Sequence, residues 1–376
     1  MADPVQDIVV TAGAAVPDVV SVEVNGQTIT GWTDVRITRR AEGLPNDFDV
    51  GLTVTNPSDL SAVVAYAGQS CVVRIGKDPV ITGYIDRDTN SGSATSHRLG
   101  LVGRGQCADL VDCSAEYPKG QISGGTAIDI ATKIAEPYGI TVYQKGQPLG
   151  LKPIPQFNLN YGETAQEIID RVCTYDGLLY YEDEDGNLVL SLVGSDAASS
   201  GIVYGQNVQE WSVSNSMDQR FSDYTCASLS VDILEDLGGA SLLYFTAKDP
   251  NVPRHRTMYL VAESVSGSWA LCQIRALWEA ARRAGRGTSA TAVVDSWRDT
   301  GGTLWTPNTL IPVTLPGLRF APATQLCVSE VTYHFDLEGG TRAEISVLPE
   351  AAFQPQPIVI QPTPLATGEL VTAPAP

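Results

Sequence analysis

The chain has 376 residues, 43% of them apolar and 18% charged, and its 43 acidic side chains against 24 basic ones give a formal net charge of −19. That much acid excludes stable binding to a phosphate backbone, which runs on clustered Lys and Arg, and that much apolar content excludes a disordered chain. The length fits roughly two to four domains with cores of their own, and no apolar run approaches the roughly 20 residues of a membrane helix.

Asp3 and Asp7 stand where a secretory signal carries Lys or Arg, so export by that route is not expected for the extension at residues 1–18. From 19 to 104 the pattern has period two. In Phe48-Asp49-Val50-Gly51-Leu52-Thr53-Val54 every second side chain is apolar, which puts one face on a core. Val20, Val22 and Val24 alternate likewise, and Asn25-Gly26 supplies the positive-φ turn of a hairpin. Short runs at 72–75, 80–87 and 98–102 continue the theme, and the stretch reads as a small antiparallel barrel or sandwich.

Residues 105–205 change character. Thr126 caps a helix whose Ala127, Ala131, Ile134 and Ala135 share a face, and Pro137 with Gly139 stops it. A second helix opens on a Thr164/Glu167 capping box, carries Ala165, Ile168, Ile169 and Val172 on one stripe, and ends at Gly177. A hairpin follows, with 178–182 and 188–193 flanking the turn-forming cluster Asp183-Glu184-Asp185-Gly186-Asn187. The whole reads as an α+β lobe.

Alternation returns near Trp211–Val213 and Tyr224–Ile233, and again from Thr288, where 331–335 and 343–347 are joined across Gly339-Gly340. This gives a second β-domain over 206–232 and 288–349. A lobe at 233–287 interrupts it and ends in a helix on which Leu271, Ile274, Trp278 and Ala281 fall at helical spacing. No repeat between the two β-domains is visible at the residue level. Residues 350–376 form a Pro-rich tail, in which Ile358, Val359 and Ile360 make a short β-prone run suited to adding a strand to a partner's edge.

Chemistry has few footholds. Seven cysteines, an odd number without C-x-x-C spacing, predict buried thiols in a reducing cytosol and neither a disulfide framework nor a zinc knuckle. Of three histidines, His97 and His334 lie in strand patterns and His255 in the basic loop Pro253-Arg254-His255-Arg256, and no nucleophile elbow or H-E-x-x-H is present. The acids at 182–185 lack the ligand spacing of a calcium loop and read as a solvated hairpin tip. No catalytic, cofactor or metal residue is therefore expected. Arg275, Arg282, Arg283 and Arg286 give the third helix a basic end, which complements its dipole or mates with an acidic face of a neighbouring copy. Trp305, beside Trp297 and Asn308, is expected to anchor a loop against its own domain, with the subunit interface as its other place.

Several strings resemble one family in order along residues 19–353. They are Val80-Ile81-Thr82-Gly83-Tyr84-Ile85-Asp86, Ser96-His97, Gly103-Arg104-Gly105-Gln106-Cys107-Ala108-Asp109-Leu110, Gly162-Glu163-Thr164-Ala165, Arg254-His255-Arg256, Trp297-Arg298 and the run Gly302–Asn308. The chain resembles the baseplate hub proteins of Mu-like contractile-tailed phages. The resemblance implies a mainly β fold with α+β lobes: two β-barrel domains per subunit plus smaller inserted lobes, assembled as a trimeric ring. It further implies a homotrimer joining a six-fold tail tube to a three-fold central spike and forming part of the genome ejection channel. Its partners are then the tail tube protein, the central spike protein, the tape measure protein and other baseplate proteins, and no nucleic acid is bound stably. Its place is the virion tail baseplate, after assembly in the host cytoplasm. Two other readings belong to the same setting, a tail-associated peptidoglycan hydrolase and a carbohydrate-binding tail adhesin. The surplus acid is expected on the channel lining or, for solubility alone, on the outer surface. Residues 1–18 and 354–376 match nothing in the family.

Overall fold

The computed structural model describes residues 18–54, 65–93, 96–117, 119–146, 150–151, 153–154, 157–194, 196–229, 242–261 and 269–353. The first stretch holds β1 (Val20–Val24), β2 (Gln27–Ile29), β3 (Asp34–Arg40), β4 (Asp47–Val54), β5 (Ser70–Ile75), β6 (Asp78–Gly92) and β7 (His97–Gly105). The expected hairpin is there: β1 pairs with β2, and Asn25 and Gly26 both have positive φ. Phe48, Val50 and Leu52 are buried, as their alternation requires.

Next come α1 (Ala108–Asp112), β8 (Gln121–Ile122), α2 (Ala127–Ala135), β9 (Val142–Lys145), β10 (Phe157–Asn158), α3 (Ala165–Asp176), β11 (Leu179–Glu182) and β12 (Leu188–Ser191). Both longer helices start in complete capping boxes, Thr126 with Asp129 and Thr164 with Glu167, and left-handed Gly177 closes α3. α2 and α3 bury Ile130, Ile134, Ile168 and Val172 in a core of their own, against the sheet β11-β12-β9.

The remainder comprises β13 (Asp196–Ala197), β14 (Ile202–Val203), β15 (Val208–Asn215), β16 (Asp223–Leu229), β17 (Leu242–Lys248), β18 (Thr257–Val261), α4 (Trp269–Arg286), β19 (Thr288–Val294), β20 (Thr309–Thr314), β21 (Thr324–Asp336) and β22 (Gly340–Leu348). β16, expected with the second β-domain over 206–232, pairs instead with β17 and β18, because Tyr224 and Cys226 are buried against α4. The inserted lobe is thus this three-stranded sheet with α4 across it.

The two β regions do not form separate sheets. β3 pairs with β21 from Asp34 opposite Asp336 to Arg40 opposite Glu330. The result is one 14-stranded sheet running β15-β19-β22-β21-β3-β4-β7-β6-β5-β1-β2, with β13, β14 and β20 beside it, over one shared core. The physical reason is that β3 and β21 would otherwise each present a row of unpaired backbone groups.

Within this sheet a repeat appears that residue identities conceal. β3, β4, β5, β6 and β7 lie side by side in the order β5-β6-β7-β4-β3, and β15, β19, β20, β21 and β22 lie in the matching order β20-β21-β22-β19-β15. Every neighbour pair in both is antiparallel. The long fourth strand bulges midway in each, at Ile85/Arg87 and at Val328/Glu330. The row Ile37, Phe48, Gly103, Ile85 in one unit matches Val213, Ala290, Val347, Val328 in the other. The units differ in their first connection: it spans only 41–46 in the first and carries the inserted lobe in the second.

Candidate functional site

The main sheet has one apolar and one polar face. Val35 and Ile37 of β3 point to the core, so Arg36, Thr38 and Arg40 point away from it. Arg36 and Arg40 meet Asp47 at 2.6 and 2.7 Å, Arg40 meets Glu330 at 3.0 Å across the junction of the two units, and Arg98 meets Asp34 at 2.8 Å. Arg342 pairs with Asp336, and His334 lies 3.7 Å from Glu344 while burial lowers its pKa. Ion pairs alternate across this face, and among the described residues no group of His, Cys, Asp and Glu has the arrangement of a metal site.

The α+β lobe is fastened to the sheet by the hairpin turn between β11 and β12. The acids there are not a solvated tip: Glu182 and Asp183 are buried. Both Glu182 carboxylate oxygens accept backbone N–H groups, from Asn46 at 2.9 Å and Cys107 at 2.8 Å. Burial pushes its pKa from 4.5 up to about 7, against the pull of those two donors. Asp183 accepts from Asp185 N at 2.9 Å and Asn187 N at 2.8 Å, spending its charge on its own turn. Glu184 pairs at 2.8 Å with buried Arg39. Burial works against the Arg39 charge, but Tyr333, Glu184 and Asp183 more than offset it and raise its pKa. Gly105 belongs at this junction because a Cβ there would lie 2.0 Å from a Glu182 carboxylate oxygen. Sequence reasoning missed Glu182 and Arg39, whose partners lie far along the chain.

The four arginines of α4 have partners within the chain. Arg275 and Arg283 flank Glu279 at 3.6 and 2.5 Å, while Arg282 and Arg286 reach Glu42 at 3.1 and 2.7 Å. Arg275 and Arg282 also lie over the Trp278 ring. The helix thereby bridges the β3–β4 connection and the inserted lobe. Its buried side is made of small groups, Cys272 and Ala276, while Ile274 and Leu277 are 53% and 49% exposed. The apolar spacing that marks this helix in the sequence is largely that of its open face.

Trp305 lies in the main core, 3% exposed, with its indole N–H donating to the Ser296 carbonyl at 3.0 Å. Trp297 and Asn308 are buried beside the same loop. Ile358, Val359 and Ile360 lie outside the described residues, as does most of the extension at 1–18.

The sheet also has open edges. Among the described residues no strand pairs with the outer side of β15, where Trp211 is 39% exposed, nor with the outer side of β6 over Arg87–Gly92.

Family models match in three blocks: a Mu phage baseplate assembly protein GpP-like N-terminal domain at 19–105, a baseplate hub protein gp44-like second domain at 107–192, and a GpP fourth domain at 268–356. Baseplate hub protein gp44 of Escherichia phage Mu is 32% identical over 342 residues, covering 89% of this chain and 88% of that protein. The 43 kDa tail protein of prophage MuSo2 from Shewanella oneidensis matches with a TM-score of 0.79 and 30% identity, over 90% of this chain and all of that one. A tail protein from Neisseria meningitidis shares the fold at a TM-score of 0.75 and 23% identity, over 92% of this chain and all of that one. Such similarity along nearly the whole length, on a fold built of fastened lobes and open sheet edges, shows that the chain belongs to the baseplate hub protein family of Mu-like phages and is a structural component of the phage tail.

Proposed function

We propose that this hub protein works as a homotrimer, a ring that continues the tail tube on one side and holds the central spike on the other, with the tape measure protein and other baseplate proteins as further neighbours. The observation that carries the reading is the internal repeat. Each chain offers two five-stranded units of the same topology, so three copies would offer six similar units toward a six-fold tube while keeping three-fold symmetry toward a three-fold spike. On this reading each unit is the counterpart of one β-barrel of the family plan.

The polar face of the sheet suits the wall of the ejection channel. Its Arg36, Arg40, Arg98 and Arg342 guanidinium groups are each held by a carboxylate, so none of these four is free to grip phosphates. On this reading the channel wall is charge-paired, and the surplus acid serves the outer surface and solubility.

Sedimentation equilibrium of the purified chain should give a mass of three copies, and antibody labelling should place it at the tube-spike junction of purified tails. A chain that stays monomeric at every concentration, or one that is absent from purified tails, overturns the reading.

A further inference from the structure

The internal repeat leaves one joint made and its twin unmade. In the chain, the second half of β21 pairs with β3, so the fourth strand of one unit meets the first strand of the other. The equivalent strands are β6 and β15, and among the described residues neither has a partner on the corresponding edge. We propose that β6 of one copy, over Arg87–Gly92, pairs antiparallel with β15 of the next copy, in the register that β21 and β3 use within the chain.

The register follows from the matched rows. Val328 corresponds to Ile85 and Ile37 to Val213, with a bulge at the same place in both long strands. Tyr333 opposite Ile37 therefore becomes Asn90 opposite Val213, and Thr332 opposite Thr38 becomes Thr89 opposite Ser214. Phe335 opposite Val35 becomes Gly92 opposite Trp211.

Exposure marks the missing neighbour. Val35 and Ile37, under β21, are 5% and 0% exposed, whereas their counterpart Trp211 is 39% exposed and Val213 is only half-buried. Tyr333 and Val331 are buried on β21, whereas Asn90 on β6 is exposed. The side chains fit as well. The Thr38 and Thr332 hydroxyls meet at 3.2 Å across the existing joint, and Thr89 with Ser214 supplies the same pair across copies. Gly92 has no side chain of its own, and the His97 imidazole lies over it, 2.5 Å from where a Cβ would stand, so the Trp211 indole opposite would meet that ring. An edge of this length that no described residue pairs with, and without Lys or Pro on β15, invites pairing.

The joint is head-to-tail, so it closes a ring when the rotation between copies divides a full turn and builds an open filament otherwise. The identity of the joint rests on the ring reading above. Thr89→Cys and Ser214→Cys, made as separate full-length variants, test it when mixed and oxidised mildly. The expected result is a reducible heterodimer band that appears in the mixture and in neither variant alone. Asn90→Cys mixed with Ser214→Cys, whose side chains face opposite sides of the sheet, should give at least tenfold less. Sedimentation of the same samples separates the two claims. Trimers that fail to cross-link, or cross-link equally with both pairs, overturn the joint and leave the ring standing. Monomers throughout overturn both.

Discussion

Trp305 ties three stretches of chain together: its indole donates to Ser296, its backbone N–H donates to the Trp297 carbonyl at 3.1 Å, and its own carbonyl accepts from the buried Tyr333 hydroxyl. Trp305→Ala should therefore cost about 3–5 kcal/mol, the range for large-to-small core changes, read as a lower urea midpoint. Glu182 gives a pH signature. Its folded pKa of about 7 lies above its value of 4.5 in the open chain, so its contribution is full below about 4.5 and is lost as pH rises through 7. Melting temperature should fall less steeply between those values in Glu182→Gln than in the parent chain. Gly105→Ala, which drives a methyl into that carboxylate, should destabilise at every pH. Such a residue is invisible in the sequence because its donors lie 136 and 75 positions away.

Elements were legible where the signal is local. The cap at Thr126, the capping box at Thr164 and the Asn25-Gly26 turn could be read because each is settled by side chains a few positions apart, and the structure adds Asp129 to the first to complete a box there too. The pairing of β3 with β21 was not, since alternation specifies that a strand has a buried face but not which strand lies beside it. The acids at 182–185 misled for the same reason: clustered acids look solvated until Arg39 reaches Glu184 and two backbone donors reach Glu182 from elsewhere. Energetics at this scale separates two kinds of ion pair. Arg220 and Asp249 are buried together at 2.7 Å in the inserted lobe, and Asp249→Ala strands a guanidinium there, at an expected cost of about 3–5 kcal/mol in urea unfolding. Glu42→Ala removes two partly exposed pairs that hold α4, and should cost about 1 kcal/mol or less.

At the scale of the whole molecule, charge opposes assembly. Copies carrying −19 each repel one another, and the repulsion is screened as the Debye length falls from about 30 Å at 0.01 M salt to about 10 Å at 0.1 M. If the chain assembles as proposed, the fraction of the proposed trimer measured by sedimentation should therefore rise over that range. The pairing of β3 with β21 also sets a timetable. Thr38 and Thr332 are 294 residues apart in sequence, so at roughly 5–20 residues per second β3 emerges from the ribosome on the order of tens of seconds before its partner. Through that interval the nascent chain shows the edge that β21 will later cover. Neighbouring ribosomes on one message show it too. A β21 from one chain can then reach β3 of another, an exchange between nascent chains that uses native contacts in the wrong molecule. Refolding yield should accordingly fall as chain concentration rises, with light scattering growing in step, and slower synthesis should lengthen the exposure.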